Sequence, residues 1–148
     1  MHNWFLVKVS YEKTLENGMQ KKTTEPYLVD ALSFTEAEAR IIEELQPLIR
    51  GEFQVAGINR AHYAEVFTDA DGGRWYKVRL RYITLDEKTG VEKQTPVRML
   101  VQASTLEEAL ANFTRGMKGT LSDYALVGIE ETPIEDVYSY EAGEGGRP

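Results

Sequence analysis

Shifting the chain by 71 residues lays it over itself, and no other feature narrows the possible folds as far. Trp4 falls on Trp75, Val7 on Val78, Tyr11 on Tyr82, Ser33 on Ser104, Gly57 on Gly128, Ile58 on Ile129 and Val66 on Val137. Conservative pairs fill the intervals: Phe5/Tyr76, Lys8/Arg79, Val9/Leu80, Phe53/Tyr124, Val55/Leu126, Glu65/Asp136 and Phe67/Tyr138. Self-similarity at one offset marks a duplicated supersecondary unit, so the fold must be one that a small unit builds twice. The two copies span 3–68 and 74–139, and Asp69-Ala70-Asp71-Gly72-Gly73 joins them.

Each copy opens with an alternating strand. Phe5, Val7, Val9 and Tyr11 share one face in the first copy; Tyr76, Val78, Leu80 and Tyr82 do so in the second. Glu16-Asn17-Gly18 and Lys88-Thr89-Gly90 are hairpin turns, because Asn and Gly tolerate positive φ. The return strands run over about 22–31 and 93–103, with Pro26 and Pro96 marking a sheet edge or bulge, since proline cannot donate to a ladder. Helices follow. Thr35 with Glu38, and Thr105 with Glu108, fit the Ser/Thr-x-x-Glu box that satisfies exposed helix N–H groups.

The apolar stripes are Ile41, Ile42, Leu45 and Leu48, then Leu106, Ala109, Leu110, Phe113 and Met117. Pro47 ends or kinks the first helix, and Gly116 and Gly119 end the second. Closing strands at 53–58 and 124–129 carry the matched glycines of a bulge or bend, and the chain stays strand-like through Val66-Phe67 and Val137-Tyr138. The expected fold is therefore α+β: a duplicated β-β-α-β unit, antiparallel sheets with both helices packed on one side, and a pseudo-twofold. Residues 1–139 read as one domain of two repeats, with 140–148 as a flexible tail rich in glycine.

Composition limits the chemistry. The chain has 148 residues and no cysteine, which removes disulfides, thiolate metal sites and cysteine nucleophiles. Its apolar runs, such as those at 4–7 and 99–101, fall far short of the roughly 20 residues that span a bilayer. The opening Met1-His2-Asn3-Trp4 has no basic region leading into an apolar stretch, so the expectation is a cytoplasmic protein without a signal peptide. Net charge is −7, unevenly spread: Lys and Arg number 7 against 11 acidic residues over 1–70, 3 against 9 over 104–148, but 7 against 4 over 71–103. An acidic total argues against bulk coating of DNA and leaves room for a local basic face.

Several runs resemble a domain-of-unknown-function family, numbered forty-four ninety-four in that series. They are Trp4-Phe5, Glu25-Pro26-Tyr27-Leu28-Val29-Asp30-Ala31, Ser33-Phe34-Thr35-Glu36-Ala37-Glu38-Ala39-Arg40, Leu85-Asp86-Glu87-Lys88, Leu100-Val101-Gln102-Ala103 and Glu131-Thr132. The resemblance covers nearly the whole chain. It implies an origin in gut Bacteroidales or their phages and mobile elements, and an accessory role; it brings no catalytic residues with it.

Motifs of catalysis and metal binding do not converge. No phosphate-cradling glycine loop, Gly-x-Ser-x-Gly elbow or His-Glu-x-x-His occurs. His62 and Glu65, three apart on a strand, would point to opposite faces. Asp69-x-Asp71-Gly72 opens like a calcium loop but lacks the later ligands, and so reads as a plain turn. Asn112-Phe113-Thr114 matches a glycosylation acceptor by accident, because Phe113 belongs to the core stripe. The expectation is a non-enzyme with no cofactor and no metal site.

One constellation stands apart. If Tyr76, Val78, Leu80 and Tyr82 face the helix, then Trp75, Lys77, Arg79 and Arg81 face away, joined by Arg98 from the return strand. The first copy places Trp4, Leu6 and Lys8 there. Trp with Arg and Lys on a helix-free sheet face suits contact with a protein partner or self-association, or, alternatively, single-stranded nucleic acid or a nucleotide-like anion. The candidate binding residues are Trp4, Lys8, Trp75, Lys77, Arg79, Arg81 and Arg98.

Overall fold

The computed structural model describes residues 2–140. The tail expected from residue 140 onward lies, beyond Tyr140, outside the described residues. The elements in chain order are β1 (Trp4–Thr14), β2 (Gln20–Asp30), α1 (Phe34–Leu45), β3 (Phe53–Ala61), β4 (Val66–Phe67), β5 (Arg74–Leu85), β6 (Glu92–Ala103), α2 (Leu106–Gly116), β7 (Asp123–Thr132) and β8 (Asp136–Tyr138). The class is α+β, with two four-stranded sheets ordered β3-β1-β2-β8 and β4-β6-β5-β7.

The chain forms two compact units. Unit 1 holds β1, β2, α1, β3 and β8; unit 2, Tyr63–Thr132, holds β4, β5, β6, α2 and β7. These units differ from the sequence repeats in one respect. The short strand trailing each repeat leaves its own sheet: β4 pairs with β6, and β8 pairs with β2. Both exchanged strands run parallel to their neighbours, unlike the antiparallel pairing expected from the alternation, whereas β1–β2, β1–β3, β5–β6 and β5–β7 are antiparallel. A hairpin or short return forces antiparallel pairing; a strand delivered by a longer connection is free to run either way.

Within unit 1 the core is the alternating face read from sequence. Phe5, Val7 and Val9 from β1 pack with Tyr27, Val29 and Ala31, and with Ala37, Ile41 and Leu45 of α1. Tyr138 of β8 completes this cluster. In unit 2, Val78 and Leu80 pack with Met99, Val101, Phe113 and Met117, while Phe67 of β4 lies against the cluster. Phe67 needs Gly116: a Cβ there would fall 2.8 Å from the ring. The turns use Gly18 (φ 83°) and Gly90 (φ 72°), as the hairpin signals required. The bulges expected at the matched glycines occur one residue earlier in each copy, at Ala56 and Val127, where the β1–β3 and β5–β7 registers shift.

Three local expectations need correction. The first helix is capped by Ser33 and not by Thr35: the Ser33 hydroxyl accepts from the Glu36 amide, and Glu36 accepts from the Leu32 amide. Ala37, Ile41 and Leu45 of this helix face inward, and Ile42 and Leu48 are exposed. The second box is as read, with Thr105 capping Glu108. Of the second stripe, Ala109, Phe113 and Met117 are buried, but Leu106 and Leu110 are half exposed on its flank. His62 and Glu65 sit on no strand; both are exposed in the connection between β3 and β4, so strand alternation does not govern them.

The linker Asp69-Ala70-Asp71-Gly72-Gly73 is a turn pinned to unit 2. The Asp71 amide donates to the Asp69 carboxylate and the Gly72 amide to the Asp69 carbonyl. Asn112 of α2 donates to the other Asp69 oxygen, and Gln102 both accepts from the Asp69 amide and donates to the Gly72 carbonyl. Gly72 is required because a Cβ there would lie 2.7 Å from the Ala103 backbone.

Candidate binding surface

The helix-free face of unit 2 divides along its length. At one end Trp75 is 3% exposed and Leu100, across from Lys77, is fully buried. At the other, Arg79, Arg81 and Arg98 are exposed, with Lys77 between the two zones. Unit 1 repeats this gradient: Trp4 is 3% exposed, Leu28 is fully buried, Leu6 is intermediate and Lys8 is exposed.

Both tryptophans therefore face away from their helices, as alternation requires, yet neither offers a surface. This corrects the expectation that Trp4 and Trp75 belong to an exposed binding face. The Trp4 ring is stacked by His2 at 5.0 Å, and His2 Nδ1 is paired at 2.5 Å with the buried Asp30 carboxylate, which also accepts from the Asn3 amide. His2 and Asp30 were not singled out from the sequence, because they are 28 residues apart and meet only through the β1–β2 register. Trp75 and Leu100 mark an apolar end of the sheet face that folding encloses, and burial of so large a ring contributes more than exposure could.

What remains open is cationic. Arg79 stands directly across from Arg98 in the β5–β6 ladder, two like charges opposed. Glu130 of β7 offsets part of this, at 3.2 Å from Lys77 Nζ and 3.8 Å from Arg79 Nε. On the β7 side Arg79 faces Gly128, and the guanidinium lies where a side chain would otherwise stand, 3.2 Å from a Cβ built there. Arg81 donates to Gln94 at 3.0 Å. Tyr63 borders the patch; burial raises its hydroxyl pKa while the Arg98 charge pulls it down.

Duplication provides the comparison. The unit 1 positions matching Lys77, Arg79, Arg81 and Arg98 are Leu6, Lys8, Ser10 and Pro26, by shared register. The fold thus accommodates this face with one cation, and unit 2 has four. Lys8 is exposed on unit 1. Among the described residues, no group of three or more His, Asp or Glu is placed to hold a metal ion, and no helix is long and apolar enough to cross a membrane.

The model of the family described as a domain of unknown function (DUF4494) matches residues 3–140, so the chain belongs to that family. No curated protein matches it.

Proposed function

With membership of that family as the premise, we propose that the protein is a non-catalytic interaction module that holds an acidic partner protein against Lys77, Arg79, Arg81 and Arg98. The observation that carries this reading is the Arg79–Arg98 pair. Like charges directly opposite on a sheet are destabilising, by a few tenths to about 1 kcal/mol, and the matching pair in unit 1, Lys8 across from Pro26, avoids the cost. An acidic partner would turn that cost into attraction. An accessory role in a phage or mobile element rests on the family resemblance alone and forms part of the same proposal.

A protein partner fits better than a nucleic-acid strand. Trp75 is enclosed, so its ring is not presented for base stacking. Glu130 sits among the cations, which suits a surface of mixed sign more than a uniform line of phosphates. The second reading, single-stranded nucleic acid or a nucleotide-like anion bound by charge, is favoured by the same arginines.

Fluorescence anisotropy with a labelled poly-glutamate peptide and a labelled oligo-dT strand, at 50 and 200 mM salt as about the useful range, separates the two. Peptide binding that is lost in the Arg79→Ala/Arg98→Ala variant and retained in Lys8→Ala supports the proposal. Oligonucleotide binding whose salt slope drops by about one per arginine removed would transfer the function to the second reading. Binding of neither probe, or binding indifferent to the double variant, overturns both.

A further inference from the structure

Resting on the acidic-partner reading, we propose that Gly128 is a positioning residue of the cationic face: its missing side chain is a seat that holds the Arg79 guanidinium across β7, and this hold sets how tightly a partner carboxylate is bound. Strand order gives the direction of the hold. Strand β5 lies between β6 and β7, so Arg79 has Arg98 on one side and Gly128 on the other. Its guanidinium lies on the Gly128 side, where Nη2 is 3.2 Å and Cζ 3.9 Å from the position of a Cβ.

Two neighbours favour that placement. Glu130, two residues along β7 on the same face, has Oε1 3.8 Å from Arg79 Nε. The same oxygen is 3.2 Å from Lys77 Nζ, so the carboxylate that draws Arg79 toward β7 is itself paired. Both partners of the Arg79–Glu130 pair are half exposed, and such a pair is weak alone. The register shift at Val127 comes immediately before Gly128, and a bulge re-aims the side chains beside it.

Unit 1 has the same frame without the same occupant. Lys8 faces Gly57 as Arg79 faces Gly128, and the register shifts after each of them. Yet a Cβ at Gly57 would meet nothing within 4 Å. Glycine and bulge are common to both copies; only the arginine of unit 2 occupies the space they leave.

The chemistry follows from the side chain that is seated. Lysine presents a point charge on a flexible stem, whereas the planar fork of arginine can take a carboxylate through two parallel hydrogen bonds. Holding that plane before the partner arrives lowers the ordering cost of binding. It also draws the Arg79 charge away from the strand that carries Arg98, which relieves part of the repulsion between them.

Gly128→Ala tests the seat. Among the described residues, chain neighbours aside, the only atoms within 4 Å of the added methyl group belong to the flexible end of Arg79, so the variant should fold. It should bind the labelled poly-glutamate peptide about two- to tenfold more weakly, the factor that ordering one long side chain accounts for. Gly57→Ala should bind as the parent does. In an Arg79→Ala background, where Lys77, Arg81 and Arg98 remain to bind the peptide, Gly128→Ala should have no further effect, because the glycine acts through the arginine. The Arg79 Nε–Hε resonance, identified by its loss in Arg79→Ala, reports the hold without any ligand. Its order parameter should fall in Gly128→Ala and not in Gly57→Ala. A Gly128→Ala variant that binds as the parent does, a deficit that persists without Arg79, or an unchanged Nε order parameter would overturn the proposal. A parent protein that binds no peptide defeats the acidic-partner reading itself, and the Nε order parameter then decides the seat alone.

Discussion

At the scale of single residues, alternation told which way each strand side chain points but not whether that side is covered. Trp75 and Arg79 share a face in the sequence and in the structure; one is enclosed and the other open, because enclosure depends on what lies over the sheet. Helical stripes carry the same ambiguity at their flanks. Leu110 and Phe113 both fit the 3.6-residue period, yet Phe113 is 1% exposed and meets Tyr124 edge-to-face at 5.7 Å, whereas Leu110 is 45% exposed. Phe113→Ala should accordingly cost about 3–5 kcal/mol through cavity formation. Leu110→Ala should cost under about 1 kcal/mol, in the range of surface changes. Urea midpoints report the difference, and equal shifts for the two variants would mean that α2 is rotated from the orientation described.

At the scale of elements, the strands, turns and helix ends were legible because each has a local chemical cause. Gly18 and Gly90 adopt positive φ in the two hairpins, and α1 stops at Leu45, just short of Pro47. The first cap was not resolved by local chemistry, since Ser33-x-x-Glu36 and Thr35-x-x-Glu38 fit the same box. The structure decides: the Ser33 hydroxyl accepts from the Glu36 amide, so Ser33 is the cap. Ser33→Ala should therefore destabilise the protein by about 1 kcal/mol, and Thr35→Ala by clearly less. Thermal melts of the two variants measure this, and a larger loss for Thr35→Ala would restore the later cap.

Edges are managed element by element as well. The outer strands β3 and β7 carry bulges at Ala56 and Val127, while Pro26 and Pro96 lie on the stretches of β2 and β6 beyond their short parallel neighbours. Each device discourages a further strand from adding there.

At the scale of the whole molecule, the duplication was legible and the exchange of strands was not. Val66-Phe67 and Val137-Tyr138 are apolar-aromatic pairs suited to the edge of either sheet, and a common offset of 71 residues is the same whichever sheet receives them. Which sheet gains the strand is set by chain path, and periodicity carries no information about that. The exchange makes a prediction that a simple tandem repeat does not. Tyr138 belongs by sequence to the second repeat but packs with Tyr27, Ile41 and Leu45 of unit 1, and Phe67 belongs to the first repeat but packs on Gly116 of unit 2. Tyr138→Ala should therefore perturb amide chemical shifts most in β2 and α1, and Phe67→Ala most in β6 and α2. Each variant should lose stability of order 2–5 kcal/mol, as expected for removing a packed aromatic ring. Shift changes are local even when unfolding is global, so the two footprints stay distinguishable if the chain melts as one. The opposite assignment, with Tyr138→Ala disturbing β6 and α2, would show that each strand returns to the sheet of its own repeat.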